Sequence, residues 1–227
     1  MAYVQTRRVG TGELLTGTFA VISAARREVG IYLVLFAGLG LLTSIDLVGA
    51  LVSVASFFLY FPAQYWLCQQ MLAQSGMGHH SRLRAFSLFF MAILLGAGIS
   101  IGFNFFWIPG IILGAKWIMA PAYLATDEGN LLDAIGASWR ASDGNTLSLS
   151  LAFTAAGAIG LVALWAVILT GTATEGLISG SGLVAGPLEG IFLSLSINVL
   201  PIAMMALSVA SYRALSDNTE QLAAVFE

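Results

Sequence analysis

The only lysine of the chain, Lys116, lies within a strongly apolar stretch of the sequence. A lysine at the centre of a bilayer costs about 2.5–3.5 kcal/mol on insertion scales, so a charge at this position needs a reason. Trp117 follows it directly, and Trp139 and Arg140 come later in a more polar segment. Indole rings and basic groups are the side chains that suit the headgroup level of a membrane. We therefore identify these four residues as a candidate site for a lipid headgroup or a substrate anion.

A structural role for Lys116 is the alternative. Helical side chains point toward the N-terminus of their helix, which is the outer end of this segment in the topology given below. The ammonium group could then snorkel toward the outer headgroups, or it could form an ion pair. Asp46 and Glu189 are the candidate partners, because both are expected near the outer face.

Other side chains that could catalyse a reaction or bind a metal are sparse. His79 and His80 are the only histidines, and as neighbours on a helix they would point in different directions. No carboxylate or cysteine lies close to them in sequence, and they offer no Ser-His-Asp or Cys-His arrangement. Cys68 is the single cysteine, so it forms no intrachain disulfide and is expected to be a small buried hydrophobe. The sequence predicts no enzyme, no cofactor and no metal site.

The composition identifies lipid as the solvent of much of this chain. Hydrophobic residues make up 58% of the 227 residues and charged residues make up 9%, against about 25% charged residues in soluble domains. A soluble domain of this length could not bury so much apolar surface. We expect a single transmembrane domain over residues 1–227, with membrane lipids as partners. No basic patch indicates binding of nucleic acid.

The apolar runs predict an all-α, polytopic integral membrane protein, because each is close to the roughly 20 residues that cross a bilayer as a helix. Pro109 and Gly110 break the chain between the third and fourth runs. Pro62, Pro121 and Pro201 are expected to kink or end spans. A loop rich in small residues is predicted before the last run, at 171–186. The six predicted spans are 29–45, 47–72, 86–107, 110–125, 145–170 and 187–210.

The distribution of arginine tests this count of spans. With six spans, all eight arginines fall on one side, and the opposite loops carry Asp46, Glu175 and Glu189 but no arginine. Basic residues are enriched in cytoplasmic loops, so this side is the cytoplasmic one. We therefore predict a multi-pass protein of the bacterial cytoplasmic (inner) membrane with both termini in the cytoplasm. The arginines are Arg7, Arg8, Arg26, Arg27, Arg82, Arg84, Arg140 and Arg213.

Two polar segments, 12–28 and 128–142, predict amphipathic helices on the cytoplasmic surface of the membrane. In each, apolar residues recur at helical spacing. Asp127 is the predicted N-cap of the second helix, and Asp127 and Glu128 suit the positive end of its dipole. The predicted apolar faces are Leu14, Leu15, Phe19 and Ile22 in the first helix, and Leu131, Leu132, Ile135 and Trp139 in the second.

The two surface segments also resemble each other. Gly12 and Leu14 correspond to Gly129 and Leu131, and a shared Arg-Gly-Leu spacing follows in both. An internal repeat of one interfacial helix and two spans is one interpretation, and transporters often contain such repeats. Chance matches between segments rich in leucine and glycine are the other interpretation.

Small and polar residues within the runs predict contacts between helices. The small pairs, which predict close packing, are Gly98 and Gly102, Ala156 and Gly160, and Gly186 and Gly190. The polar residues, which predict interhelical hydrogen bonds, are Gln64, Gln69, Asn104 and Asn198.

Residues 104–149 resemble a known membrane family, the membrane domain attached to some glycerophosphoryl diester phosphodiesterases, and related stand-alone bacterial proteins. The shared pattern is a Pro-Gly break, a basic residue with an aromatic one, a proline, an acidic residue, and Ala-x3-Ser-Trp-Arg before a glycine. In this chain the matching residues are Pro109, Gly110, Lys116, Trp117, Pro121, Glu128, Ala134, Ser138, Trp139, Arg140 and Gly144. The resemblance implies a six-span helical domain of unsettled role. It implies no phosphodiesterase activity, because that chemistry uses a soluble barrel with paired histidines and metal-binding carboxylates, which this chain lacks.

Two functions follow from these patterns. The first is a non-catalytic membrane protein that organises lipid or a partner protein, either in the membrane or in the cytosol. The alternative is a small transporter or lipid-translocating protein with a site near Lys116. A polar cavity that reaches mid-membrane beside Lys116 would favour transport, and a solid apolar bundle would favour the first function.

Overall fold

The structure, a computed structural model of the chain, describes residues 8–43, 45, 48–77, 85–105, 107–126, 130–177 and 182–226. Within these residues every regular element is an α-helix, which confirms the predicted all-α class. The helices of the described residues are α1 Thr11–Ala24, α2 Arg26–Thr43, α3 Gly49–Gln74, α4 Ala85–Phe105, α5 Trp107–Trp117, α6 Ala120–Thr126, α7 Leu131–Ala141, α8 Thr146–Leu177 and α9 Gly182–Phe226.

Several of these helices are built to cross a membrane, which makes the chain a membrane-embedded protein. Four described segments are long and apolar enough to span a bilayer: Gly49–Gln74, Trp107–Thr126, Thr146–Ala166 and Gly190–Leu215. A fifth apolar stretch, Phe86–Gly102, is shorter. These segments coincide with five of the six predicted runs.

The predicted run at 29–45 falls on α2, which is not among the four segments. This helix begins with Arg26, Arg27 and Glu28, so only its later part is apolar. The charged start of α2 is the reason that it is not among the four, whereas α4 extends over 21 residues and carries no charged side chain.

Two predicted boundaries are wrong. The segment 171–186, predicted as a loop, is helical at 171–177 and again from Gly182, where α9 begins. Small residues do not end a helix unless a proline or a cap stops it. Helix α4 ends at Phe105 and α5 begins at Trp107, so Pro109 and Gly110 lie inside α5 and do not end a helix. A proline is tolerated in the first turn of a helix, because the backbone N–H groups there have no intrahelical acceptor.

Helix α9 lies at the centre of the bundle and contacts α1, α2, α3, α6 and α8. Helix α2 runs antiparallel along it, with Gly40 against Gly190 and Tyr32 against Asn198. Helix α8 packs on another side of α9, where Gly160 faces Leu200. The small residues let the helix backbones approach closely, which is the packing that membrane helices favour.

The small-residue predictions hold at the positions whose surroundings the structure describes. Gly98 lies under the ring of Trp117, and Gly102 lies against the backbone of Gly110. Gly160 and Gly190 are helix contacts as described above, and Ala156 is buried. The surroundings of Gly186 lie outside the described residues. Cys68 is 1% exposed in the core, as predicted.

The two predicted surface helices both pack on the bundle. Helix α1 buries Leu14, Thr18 and Val21, whereas Phe19 of its predicted apolar face is exposed. The predicted helix at 12–28 is also divided, because α1 ends at Ala24 and a new helix begins at Arg26. An amphipathic helix at the interface therefore remains a prediction for this segment.

Helix α7 begins later than predicted, and its N-cap is Asn130 instead of Asp127. The Asn130 side chain accepts hydrogen bonds from the backbone N–H groups of Leu132 and Asp133 at 2.9 and 3.0 Å. The carboxylate of Asp133 in return accepts from the Asn130 N–H at 3.0 Å, which completes a capping box. Asp127 and Glu128 lie outside the described residues.

Helix α7 buries Ala134 and Ser138 and exposes Leu132 and Trp139, so its predicted apolar face is only partly turned to protein. Together with α6 it forms a short hairpin, which brings the end of α7 back to the end of α5. This hairpin sets the position of every side chain in the candidate site.

Candidate functional site

Lys116 lies in the last turn of α5, where a positive charge is favoured by the helix dipole. Its ammonium nitrogen Nζ lies 2.5 Å from Oδ1 of Asp143, in the turn between α7 and α8. The same nitrogen lies 4.7 Å from the centroid of the Trp139 ring, within range of a cation–π interaction. The lysine side chain is 13% exposed and that of Asp143 is 63% exposed. The ion pair therefore reaches from the protein interior to its surface.

A second set of contacts fixes the frame of this pair. The Ser138 hydroxyl donates a hydrogen bond to the backbone carbonyl of Lys116 at 2.7 Å. This carbonyl belongs to the last turn of α5, where backbone acceptors lack an intrahelical partner. The rings of Trp117 and Trp139 lie 6.2 Å apart between centroids, and the Trp117 ring packs on Gly98 of α4. These contacts join α4, α5 and α7 around the lysine.

Snorkelling of Lys116 toward the outer headgroups stays a prediction. Its ammonium group pairs with Asp143, in the turn between α7 and α8. The α6–α7 hairpin is the reason, since it returns the chain to the end of α5 and supplies a carboxylate there. An ion pair was one of the two structural alternatives, but its partner is Asp143. Asp46 and the side chain of Glu189, the predicted partners, lie outside the described residues.

Arg140 completes the group of four predicted site residues. Arg140 is exposed in the last turn of α7. Its guanidinium group lies over Gly136 of the same helix, with Nη1 3.3 Å from the position that a Cβ of residue 136 would occupy. The guanidinium group therefore lies along the surface of α7. Lys116 and Asp143 neutralise each other, and no ion pair of Arg140 is found within the part of the chain that the structure describes, so Arg140 adds a positive charge to this cluster.

The structural residues of the prediction lie around the cluster. Gly110 is buried against Gly102, and Pro109 lies in the first turn of α5. Pro121 lies at the start of α6, and its carbonyl oxygen is 4.0 Å from the Cys68 sulfur. Pro109 and Gly110 lie within α5 and Pro121 lies within α6, so none of the three ends a helix.

A cavity of about 290 Å³ lies beside the lysine-bearing helix. Its walls are almost wholly apolar and come from α4, α5, α6, α8 and α9. The lining includes Gly114, Trp117, Pro121, Phe153 and Met204. A cavity without polar groups offers no binding partner to water or to an ion.

Several polar groups inside the bundle bind each other, whereas the buried hydroxyls of Ser150, Ser208 and Ser211 have no hydrogen-bond partner among the described residues. The Tyr32 hydroxyl donates to Oδ1 of Asn198 at 2.8 Å, and the Ser194 hydroxyl donates to the carbonyl of Phe36 at 2.6 Å. Gln64 is buried. The prediction of an interhelical hydrogen bond is thus confirmed for Asn198, and for Gln64 it stays a prediction.

The prediction for Asn104 is wrong, because this exposed side chain bonds to the carbonyl of Ser100 in its own helix. Gln69 is partly buried in α3. Sequence reasoning also missed Tyr32, because a tyrosine within an apolar run reads as a hydrophobic residue.

Asp143 and Ser138 are site residues that the sequence did not single out as contacts of Lys116. Lys116 and Asp143 are 27 residues apart and share no helical period. Ser138 stood within the family pattern, and that pattern was the only signal in the sequence. His79 and His80 lie outside the described residues. Among the described residues, no three side chains of histidine, cysteine, aspartate or glutamate come together as metal ligands.

Compared with known proteins, the chain matches no family model, no curated protein and no solved structure. The resemblance to the phosphodiesterase-associated membrane domain therefore stays a prediction.

Proposed function

We propose that this chain is a non-catalytic integral membrane protein that organises lipid at the inner surface of the membrane. The observation that carries the proposal is the surface formed at the end of α7. There Trp139, which is 40% exposed, and the exposed Arg140 stand beside the neutralised Lys116–Asp143 pair. An indole ring next to a free guanidinium group suits the headgroup of an anionic phospholipid.

The interior favours this function over transport. The cavity beside α5 is lined by apolar groups, and the ammonium group of Lys116 is already held by Asp143. A path for a polar substrate needs unpaired polar groups along its length. Among the polar side chains of the centre, Tyr32 and Asn198 are bonded to each other. The unpaired hydroxyls of Ser150, Ser208 and Ser211 lie outside the lining of this cavity. These contacts support a packed membrane body.

The proposal includes six spans, with α2 and α4 crossing the membrane alongside the four segments that meet the length criterion. Helix α2 lies antiparallel along the apolar part of α9 from Tyr32 to Gly40, which supports a crossing at this depth. Helix α4 lies against α5 from Gly98 to Gly102 in the same way. Six spans place both termini on the arginine-rich side, which we assign to the cytoplasm of a bacterial cell.

The proposal agrees with the resemblance to the membrane domain of glycerophosphoryl diester phosphodiesterases, which implies a membrane role without catalysis in this chain. A partner protein, in the membrane or in the cytosol, would then supply any chemistry.

Lipid retention tests the proposal. Native mass spectrometry of the purified protein, with dioleoyl phosphatidylglycerol or dioleoyl phosphatidylcholine added, should show preferential binding of the anionic lipid. Arg140→Gln should weaken that preference roughly fivefold, since a basic residue near a membrane surface contributes about 1 kcal/mol. Arg213→Gln, at an exposed position near the end of the last apolar segment, is the matched control. Equal binding of both lipids by the unaltered protein would refute the proposal.

Reconstitution separates the two functions. Proteoliposomes should show no protein-dependent movement of a fluorescent lipid between leaflets. Movement that depends on the protein and is abolished by Lys116→Met would establish the alternative function in its place.

A further inference from the structure

A second concave surface lies on a different side of the bundle. It is a groove of about 210 Å³ between α1, α2, α8 and α9. Its walls expose no polar surface at all. The hydroxyl of Thr18, the only polar side chain in the lining, donates to the carbonyl of Leu14 at 2.8 Å and so is satisfied within its own helix. The lining of this groove, which we call the α1 groove, includes Phe19, Ile22, Val29, Leu33, Ile159 and Ala203.

An apolar groove of this kind selects its occupant by chemistry. Water needs two to four polar partners, and the walls offer none. An empty groove would lose the dispersion contacts of every atom that lines it. For a groove on a membrane-embedded protein, the apolar molecules that surround it are the hydrocarbon chains of the lipids. A single acyl chain has the narrow, flexible shape that such a groove accepts.

Two basic side chains lie between lining residues of the α1 groove in sequence. Arg26 and Arg27 stand where α1 ends and α2 begins, a junction that we call the basic corner, and both are exposed. The residues on either side of this corner, Ile22 and Val29, line the groove. The next residue, Glu28, is partly buried, so the corner carries a net positive charge. Arginine forms strong, bidentate hydrogen bonds with phosphate oxygens.

The structure records no ion pair for Arg26 or Arg27 among the residues that it describes. By contrast, Lys116 has its carboxylate partner. The basic corner and the apolar groove are therefore contiguous and complementary to the two parts of one molecule, a phosphate headgroup and a hydrocarbon chain.

We propose that the α1 groove binds one acyl chain of an anionic glycerophospholipid, whose phosphate is held by Arg26 and Arg27. This inference rests on the proposed function and names the class of lipid and the place where it is held. The site is distinct from the surface at Trp139 and Arg140. Helix α1 would then contact the bound acyl chain directly, because Phe19 and Ile22 of this helix form part of the groove wall.

Two kinds of variant test the inference in the full-length protein by native mass spectrometry with the same two lipids. The double variant Arg26→Gln/Arg27→Gln should lower the affinity for phosphatidylglycerol roughly 25-fold and that for phosphatidylcholine, whose phosphate is offset by its choline group, by a smaller factor. Ala203→Leu should fill the groove and lower the binding of both lipids. The controls are Arg213→Gln for the charge and Ala55→Leu, at an exposed position of α3 outside the groove, for the side-chain volume.

Phe19→Ala is the second groove variant, in case Ala203→Leu fails to fold. Phe19 is 62% exposed, so its truncation removes a wall of the groove without opening the core. It should weaken lipid binding several-fold while the unfolding temperature in lipid-free detergent stays unchanged.

The outcomes separate this inference from the proposed function. Retention of anionic lipid that responds to Arg140→Gln, but not to the arginine-corner and groove variants, would overturn the α1 groove alone. No preference for anionic lipid in the unaltered protein would overturn both proposals. Loss of binding in the controls to the same extent as in the test variants would also overturn the α1 groove.

Discussion

At the scale of single residues, the burial of Lys116 and Asp143 is unequal. The lysine side chain is 13% exposed, whereas its carboxylate partner is 63% exposed. Water can solvate Asp143 when the lysine is absent, but it can hardly reach the ammonium group when the carboxylate is absent. Loss of the partner therefore leaves a buried, unsolvated charge at Lys116 but a solvated one at Asp143.

This asymmetry predicts unequal costs of removing either partner. Asp143→Asn should destabilise the fold by about 1–2 kcal/mol, because it leaves a largely buried charge without a counterion. Lys116→Met should cost less than about 1 kcal/mol, as expected for a pair that reaches the surface. Unfolding in mixed detergent and sodium dodecyl sulfate micelles measures both. The double variant is the control and should recover most of the Asp143→Asn loss; equal costs for the single variants would contradict the argument.

At the scale of elements, glycines determine how closely α4 and α5 approach. A Cβ on Gly102 would stand 2.8 Å from the backbone Cα of Gly110, a distance that the two helices cannot keep. A Cβ on Gly96, in the same helix, would meet nothing within 4 Å. The same substitution therefore has opposite consequences two turns of helix apart.

Gly102→Ala should destabilise the protein by about 1–3 kcal/mol, the usual cost of overpacking a tight contact. Gly96→Ala should be neutral or slightly stabilising, because alanine is the better helix former. Thermal unfolding in one detergent compares the two variants directly. A loss in Gly96→Ala as large as that in Gly102→Ala would show that the close approach of α4 and α5 is not what matters.

The capping box of α7 is the second element with a measurable contribution. Asn130→Ala should cost about 1 kcal/mol, because it removes the acceptor of two backbone N–H groups. Asn104→Ala removes an exposed side chain that bonds only within its own helix, and it serves as the matched control. Chemical unfolding followed by tryptophan fluorescence, to which Trp139 of α7 contributes, compares the two variants. No difference between the variants would mean that packing alone holds α7.

At the scale of the whole molecule, the apolar helices and the arginines constrain each other. Four described segments are able to cross a membrane, and α2 and α4 lie along two of them. The proposed six crossings leave every arginine on one side, where Lys116 also finds its partner. The basic groups of the protein then share one aqueous face.

Cysteine labelling tests this topology. In a Cys68→Ala background, Trp107→Cys should react with a membrane-impermeant maleimide in intact cells, because the α4–α5 turn is assigned to the outside. Gln74→Cys, at the end of α3, should react only after permeabilisation. The unaltered protein is a further control and should label very little, because its single cysteine, Cys68, is 1% exposed. Labelling of Gln74→Cys from outside would invert the topology.

The sequence by itself determined the properties that depend on composition and on local pattern. The all-helical class, the membrane as solvent and the approximate position of the apolar segments follow from apolar runs that only helices can accommodate in lipid. The glycine contacts at Gly98 and Gly102, and the hydrogen bond of Asn198, were also predicted. Each depends on which residue types helices place against one another.

Only the tertiary structure decided which residue meets Lys116. Asp143 is 27 residues away, and it reaches the ammonium group because the α6–α7 hairpin doubles back on α5. The α1 groove is likewise made by four helices that are separate in sequence. A helical period reports which residues share one face, but it carries no information on which other helix meets that face. That choice depends on the packing of the entire chain.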